Sequence, residues 1–341
     1  MKKRLLPLIL LCLFCFYSYS VSASNEETTE TDECSYVYTD EELQKLLENA
    51  LPISAPEKTD LSVQSNFNHN GCYVYDVETG EESFENFEIE KSIENANEIS
   101  AYECHPSSTV EKISFSINDY TMGDRVAITD TLVPRYSSTV KLLIVGNKSE
   151  QVYVGTGFMI GPNSIAISGH CIYNDDLGGW AHIVTAIPAM NGKTLQPFGS
   201  DNSYQLVCGG EWKESYNNQD DWGIIRVRSN FGNKTGWLGL RWQTDSYNGE
   251  TATSVGYPAN GSDRMFYSIG IISESLPRTL VGNWASSGGV SGGPLQKYYS
   301  DTGYTVIGIN RGKGVDYADC IRIDEWLYNK FMSYRTLSFG Q

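Results

Sequence analysis

One serine of the chain lies in a setting suited to nucleophilic catalysis. Ser291 belongs to the string Gly288-Gly289-Val290-Ser291-Gly292-Gly293-Pro294. Glycines on both sides permit a tight, positive-φ backbone path and let a carbonyl group approach main-chain N–H groups. The N–H groups of Gly289 and Ser291 could therefore form an oxyanion hole for the charge that develops during attack. A Gly-Ser-rich string is also typical of a plain flexible loop, so the interpretation needs a base and a carboxylate elsewhere.

A serine hydroxyl needs a base that accepts its proton, and the chain has four histidines. His69 and His105 lie in an acidic N-terminal segment, and His182 lies in a strand-like stretch where a structural role is expected. His170 ends an apolar run in the string Ser168-Gly169-His170-Cys171, where a strand gives way to a loop. A lone histidine at a strand end is usually structural, but an imidazole there can face a cleft. His170 is therefore the predicted general base.

The imidazole in turn needs a carboxylate that fixes its tautomer and stabilises the imidazolium. Asp220 and Asp221 both precede the apolar run 222–227. Asp221 adjoins that run and is preferred, while Asp220 stays open because a one-residue slip reverses the face of a strand. His170, Asp221 and Ser291 are separated by 51 and 70 residues, which is compatible with three loops that converge between two sub-barrels.

The elements that must position these residues are short strands. Beyond about residue 139, apolar runs alternate with Gly, Asn, Asp and Pro, a pattern typical of an all-β barrel or sandwich. The predicted strands cover 140–145, 152–160, 164–168, 183–187, 222–227, 252–257, 265–272 and 305–309. Helical spacing of apolar residues near the C-terminus predicts one amphipathic helix over 322–333.

The N-terminal third has a different composition. Basic residues at positions 2–4, an apolar run and the small residues 21–23 predict a secretory signal peptide over 1–23. The apolar run is shorter than the ~20 residues of a membrane-spanning helix, so we expect a secreted, extracellular protein with no membrane contact after cleavage. Residues 24–112 hold 22 Asp and Glu against 4 Lys and Arg. This composition predicts a weakly packed pro-segment, with a disordered acidic linker as the alternative.

Composition also argues against several function classes. The net charge is −17, and nothing in the chain is basic enough to predict nucleic-acid binding. Phosphate-loop patterns are absent where a strand would precede a helix. No CxxC pair or His/Cys cluster has metal-ligand spacing, so we expect neither a metal nor a cofactor. The pairing of the six cysteines beyond the signal peptide stays open: Cys34, Cys72, Cys104, Cys171, Cys208 and Cys320.

The order His, Asp, Ser, with the strings around each residue, resembles the chymotrypsin superfamily. Four further strings are similar to bacterial glutamyl endopeptidases of the V8 type, at 125–131, 157–162, 169–173 and 255–258. The resemblance runs from about residue 119 to 333. It implies two six-stranded antiparallel β-barrels with the active site between them, and removal of a pro-segment near 112–119. The protease domain would then cover 113–341, with sub-barrels at about 120–230 and 231–320.

The same resemblance implies where substrate specificity is set. In that family a histidine binds the substrate glutamate, and Asn310 stands at the matching position of this chain. An amide donates a hydrogen bond but adds no charge. Arg311 could supply charge, but neighbouring strand residues face opposite sides, so both would enter one pocket only through a bulge. Ser286 matches the family's hydroxyl in that pocket. A preference for glutamate at P1 and a non-acidic preference both stay open.

These inferences predict a monomeric secreted serine endopeptidase that acts on proteins or peptides through an acyl-enzyme. Its expected partners are those substrates and its own pro-segment. One alternative is a catalytically silent extracellular binding module on the same scaffold. Another is an esterase, but esterases with a G-x-S-x-G elbow have the chain order Ser, Asp, His. The order is reversed here, which favours the protease.

Overall fold

Short antiparallel strands dominate the chain beyond residue 124, as the apolar runs predict. The computed structural model describes residues 39–55, 71–86, 124–148, 151–192, 196–259, 263–313 and 317–335. The predicted signal peptide, the predicted processing region at 112–119, and Cys34 and Cys104 lie outside these residues.

The described part of the acidic segment is packed, which differs from the solvated region expected from its charge. It contains helix α1 (Asp40–Glu48) and strands β1 (Leu51–Pro52), β2 (Cys72–Asp76) and β3 (Glu82–Glu85). A capping box starts α1, because Thr39 Oγ1 accepts from the N–H of Glu42 at 3.3 Å and the Glu42 carboxylate accepts from the N–H of Thr39 at 3.0 Å. The alternation of β2 covers only five residues, too few to stand out in a Glu-rich sequence.

The first barrel follows β4 (Val126–Ala127) and α2 (Pro134–Ser137). Its strands are β5 (Thr139–Gly146), β6 (Val152–Met159), β7 (Ser164–Ile167), β8 (Tyr173–Asn174), β9 (Gly179–Pro188), β10 (Asp201–Gly209) and β11 (Gly223–Val227). Six of them close an antiparallel barrel in the order β5-β6-β7-β11-β10-β9, since β9 pairs with both β5 and β10. β8 pairs with β9 alone. Two strands of the acidic segment join this sheet: β2 pairs with β10, and β1 pairs in parallel with β6.

The second barrel comes after helices α3 (Gly210–Ser215) and α4 (Gly232–Thr235). Its strands are β12 (Thr251–Gly256), β13 (Phe266–Ser275), β14 (Thr279–Gly282), β15 (Pro294–Tyr299), β16 (Gly303–Lys313) and β17 (Ala318–Arg322). They close in the order β12-β13-β14-β17-β16-β15, and β4 adds to β13. The prediction of two six-stranded barrels is confirmed.

The predicted C-terminal helix is present as α5 (Glu325–Arg335). Its buried side chains are one face of the helix: Trp326, Leu327, Lys330, Phe331 and Tyr334. The rings of Trp326 and Phe331 lie edge-on to Trp222, at centroid distances of 5.6 and 5.9 Å. Because Trp222 directly follows Asp221, the packing of these three rings fixes the start of β11, next to the predicted catalytic carboxylate.

Candidate active site

His170 and Asp221 lie together because their strands are neighbours. His170 sits in a 3-10 turn, Gly169–Cys171, just after β7, and Asp221 follows a 3-10 turn just before β11. β7 and β11 pair antiparallel, with Ile167 opposite Gly223, so the end of one strand meets the start of the other. Nδ1 of His170 lies 2.8 Å from Oδ2 of Asp221, and the His170 N–H donates to Oδ1 at 2.7 Å. The geometry supports the assignment of Asp221 as the carboxylate that orients the imidazole.

Asp220, the alternative carboxylate, faces away from the imidazole. Its Oδ1 accepts from Trp222 Nε1 at 2.6 Å, and its Oδ2 accepts from the N–H of Glu211 at 2.9 Å. Arg278 Nη2, from the second barrel, lies 3.5 Å from Oδ1. Burial raises the pKa of Asp220 to about 6, against the lowering effects of Arg278, Trp222 and Glu211. Through these contacts Asp220 links the start of β11 in the first barrel to Arg278 of the second barrel, which is a structural role.

Ser291 lies beside the loop that carries His170. Its carbonyl oxygen accepts from the N–H of Thr156 on β6 at 2.9 Å, and the Cys171 Sγ lies 3.9 Å from the same oxygen. Its Oγ donates to the Arg311 carbonyl at 3.3 Å. Nε2 of His170 is buried and has no hydrogen-bond partner among the described residues. The predicted nucleophile and the predicted base thus lie on neighbouring loops, and the Ser291 hydroxyl points at the Arg311 carbonyl in this structure.

The backbone around Ser291 is compatible with the predicted oxyanion hole. Gly289 has a φ of +93°, and a Cβ there would lie 2.5 Å from the carbonyl oxygen of Tyr257, so only glycine fits. Within the described part of the chain, no hydrogen bond uses the N–H of Gly289 or of Ser291. Both N–H groups are therefore available to an incoming carbonyl oxygen.

Thr156 fixes this loop and was not foreseen from the sequence. Its Oγ1 donates to the Gly289 carbonyl at 2.6 Å and accepts from the N–H of Tyr257 at 2.9 Å. Together with the bond to Ser291, these contacts tie both residues of the oxyanion loop to β6. The signal available in the sequence was a hydroxyl residue between two glycines at 155–157, which by itself suggests only a strand.

Comparisons with known proteins identify the fold and the relatives. No protein-family model matches the chain. Among solved structures, a Glu endopeptidase in complex with MPD superposes with a TM-score of 0.55 at 21% identity, over 63% of this chain and 99% of that one. A glutamyl endopeptidase of Bacillus licheniformis is 33% identical over 173 residues, 50% of this chain and 52% of that protein. The chain has a chymotrypsin-like fold, and over half of its length it is a sequence homologue of the Bacillus licheniformis glutamyl endopeptidase.

Two further proteins are similar to this glutamyl endopeptidase homologue. An extracellular metalloprotease of Bacillus subtilis is 31% identical over 208 residues, 60% of this chain and 66% of that protein. The protease Anisep from Arthrobacter nicotinovorans has a TM-score of 0.53 at 17% identity, over 63% of this chain and all of that one. The homologue spans less than two thirds of the length of either curated relative.

The name of the Bacillus subtilis relative raises the question of a metal site. Among the described residues of this homologue, no group of three or more His, Cys, Asp or Glu side chains is placed to hold a metal ion. The described cysteines, Cys72, Cys171, Cys208 and Cys320, are all buried free thiols. Burial raises the pKa of Cys72 to about 11 and moves the pKa of Cys208 and Cys320 well upward, which keeps these thiols protonated. No described helix of the homologue is long and apolar enough to cross a bilayer.

The residues expected to set specificity are internally paired. The Asn310 Nδ2 donates to the Gly293 carbonyl at 3.0 Å, and its Oδ1 accepts from Ser254 Oγ at 3.1 Å and from Trp284 Nε1 at 3.2 Å. The bulge that would direct Arg311 to the same side exists, because the pairing of β16 with β17 shifts between Asn310 and Gly312. The Arg311 guanidinium, however, forms a buried ion pair with Asp319. Its charge is therefore neutralised from within the protein.

A small hollow next to the loop of Ser291 is lined by an arginine other than Arg311. The residues that line this hollow include Arg125, Ser254, Ala285 and Val290. The Arg125 Nε is buried and has no hydrogen-bond partner in the described part of the chain, and burial lowers the pKa of this guanidinium. Ser286, the expected specificity hydroxyl, is half-buried next to Ala285. The hollow thus contains the Arg125 guanidinium, and Ser286 is the chain neighbour of one of its lining residues.

The protonation of His170 is set by two opposing effects. Its complete burial lowers the pKa of the imidazole, because the charged ring loses water. The Asp221 carboxylate, with a further contribution from Cys171, outweighs burial and raises the pKa of His170 above its ordinary value. The contact with Asp221 therefore favours the protonated form of this imidazole.

Proposed function

We propose that the chain is a secreted serine endopeptidase in which Ser291 is the nucleophile, His170 the general base and Asp221 the orienting carboxylate. The observation that carries the proposal is the fully buried His170–Asp221 pair, with two hydrogen bonds at 2.7 and 2.8 Å, beside the loop of Ser291. A buried carboxylate that is bonded to both the ring and the main chain of a histidine fixes its tautomer. Burial of this charged pair costs desolvation free energy, and a catalytic role explains why the pair is nevertheless buried.

The mechanism follows from these atoms. Rotation of the Ser291 side chain from the Arg311 carbonyl toward Nε2 of His170 lets the imidazole take the hydroxyl proton as Oγ attacks a peptide carbonyl. The N–H groups of Gly289 and Ser291 stabilise the oxyanion. His170 then gives its proton to the leaving amine, and water releases the acyl-enzyme by the same steps in reverse. Asp221 holds the imidazolium throughout.

Ser291→Ala tests this function. In the processed enzyme we expect turnover of an unfolded protein substrate to fall on the order of a million-fold, with an unchanged thermal unfolding transition. A fluorophosphonate probe should label the native enzyme at Ser291 and leave the variant unlabelled. A catalytically silent binding module would show no labelling of either form, and retained activity in the variant would contradict the proposal.

A preference for an acidic residue at P1 is the second part of the proposal. The names of two of the proteins above refer to glutamate, and Arg125 lines the hollow together with Ala285. Arg125 forms no ion pair with a described carboxylate, and such a guanidinium attracts a carboxylate ligand. Cleavage of a peptide library should then show Glu or Asp at P1, and Arg125→Gln should reduce that preference. A library profile with apolar or basic P1 residues would leave only the non-acidic alternative.

The acidic residues 24–112 are proposed to be a pro-segment that is removed near 112–119 after export of the chain. The charge imbalance of this segment supports the proposal, as does the name of the Bacillus subtilis relative, an extracellular protease. Amino-terminal sequencing of the active enzyme from culture medium tests it. A mature terminus upstream of residue 86 would contradict it, because the described acidic strands would then remain attached.

A further inference from the structure

A short stretch of the acidic segment lies against the active-site strand. We call residues 49–54 the strap. β1, within the strap, pairs in parallel with Tyr153 and Val154 of β6. The N–H of Ile53 donates to the Val154 carbonyl at 3.4 Å, and the side chain of Asn174 donates to the Ser54 carbonyl at 3.1 Å. The strap is thus held by backbone and side-chain bonds at several points along its length.

One side chain anchors the strap in the first barrel. Ile53 is 1% exposed and packs in the same core cluster as Cys171 and Ile172. Leu51, two residues earlier, is 50% exposed. A hydrophobic side chain of the acidic segment is therefore buried in the core to which residues after His170 also belong, which is a specific docking contact and not loose contact with a surface.

The strap also reaches the nucleophile loop. A Cβ on Gly288 would lie 2.3 Å from Cβ and 2.8 Å from Cγ of Pro52, and no atom of another residue would be closer. Gly288 precedes Gly289 of the oxyanion hole. Two residues after Val154 on β6, Thr156 bonds Ser291 and Gly289. The strap therefore occupies the space where β6 and the oxyanion loop meet.

Docked elements precede and follow the strap. Leu47 of α1 is buried in a cluster with Val154 and Tyr257, and the Gln151 side chain donates to the Asn49 carbonyl at 2.7 Å. Later in the chain, β2 pairs with β10 over five residues. Ser291 is only 6% exposed and His170 is fully buried in this arrangement.

We propose that the strap is an autoinhibitory contact: Pro52 and Ile53 cover the approach along β6 to Ser291 until the acidic segment is removed. The inference rests on the proposed function and adds to it the residues that keep the unprocessed chain inactive. Pro52 also lacks an N–H group, so the strap forms few backbone bonds with β6 and can leave once its flanking elements are cut away.

The test measures the rate at which a fluorophosphonate labels the unprocessed chain, identified by intact mass. Ile53→Asp should speed labelling roughly tenfold or more, since the buried anchor is lost. Leu51→Asp is the matched control, because it adds the same charge to an exposed position of the strap, and it should label at the native rate. Equal labelling rates for native unprocessed, Ile53→Asp and processed chains would overturn the inference. If the processed native enzyme is not labelled either, the proposed function fails.

A second variant, Gly288→Ala, tests the inference independently in case Ile53→Asp does not fold. Gly288→Ala places a methyl group against the Pro52 ring and should displace the strap, so labelling of the unprocessed chain rises. In a Pro52→Gly background the ring is absent, and the same substitution should then have a much smaller effect. An equal effect of Gly288→Ala in both backgrounds would show that Pro52 does not cover the site.

Discussion

The carboxylate of Asp221 binds His170 twice, at Nδ1 through Oδ2 and at the main-chain N–H through Oδ1, at 2.8 and 2.7 Å. The second bond fixes the carboxylate relative to the backbone of the histidine, so the ring can rotate little without breaking the first. Both residues are fully buried, and water does not compete for these bonds.

Asp221→Asn should lower kcat by about 10⁴-fold in the processed enzyme, because the amide stabilises the wrong tautomer and does not balance an imidazolium. Loss of the carboxylate also removes the main effect that raises the pKa of His170. Activity requires the neutral base and rises with pH through this pKa, so the residual activity should reach its plateau at a lower pH than in the native enzyme. The pH profile of kcat/KM measures this, and an unshifted profile would contradict the assignment.

Asp220→Asn should affect stability more than catalysis. The substitution removes a charge that Arg278 faces across 3.5 Å and weakens the bonds from Trp222 and Glu211, at a cost of about 1–3 kcal/mol. We expect a lower urea midpoint with kcat within tenfold of the native value. Urea unfolding measures the effect on stability, and probe labelling measures the effect on the active site. A loss of kcat equal to that of Asp221→Asn would indicate that Asp220, and not Asp221, is the orienting carboxylate.

Thr156→Val should lower kcat by roughly tenfold to a hundredfold, a loss of about 1–3 kcal/mol of transition-state stabilisation, because Gly289 loses the hydroxyl that holds its carbonyl. KM should change little. Thr139→Val is a matched control on β5, since the Thr139 hydroxyl is buried and has no hydrogen-bond partner among the described residues. The control should keep native kinetics and native or higher stability. If both variants lose activity equally, the bond to Gly289 does not position the oxyanion loop.

Gly289→Ala should lower kcat by 10²–10³-fold, roughly the effect of losing an oxyanion donor. The new Cβ would lie 2.5 Å from the Tyr257 carbonyl oxygen, and the loop must move. Gly303→Ala is the control: it has a φ of +73° but no atom within 4 Å of the added Cβ. That variant carries only the backbone strain of about 1–2 kcal/mol. Steady-state kinetics and thermal unfolding of both variants check the prediction.

Much of the fold could be predicted because it depends on local pattern. The apolar runs that contain Leu142, Ile165 and Ile225 are buried strands of the first barrel, and alternation with turn residues marks such strands in any sequence. The strand Asp201–Gly209 was missed, since polar residues interrupt its apolar positions. Its identity as a strand depends on three partner strands, β11 along one edge and β9 and β2 in turn along the other.

The residue types of the active site were determined by the sequence, because only a few serines, histidines and carboxylates stand next to buried strands. The sequence left Asp220 and Asp221 both open, and the contacts that favour Asp221 are visible only in the structure, since the direction of a side chain at a strand entry depends on the turn before it. The pairing of Arg311 with Asp319 and the burial of Ile53 in the core of the first barrel are likewise visible only there. Each joins residues whose contact depends on how strands pair across the sheet, and local pattern carries no information about such distances.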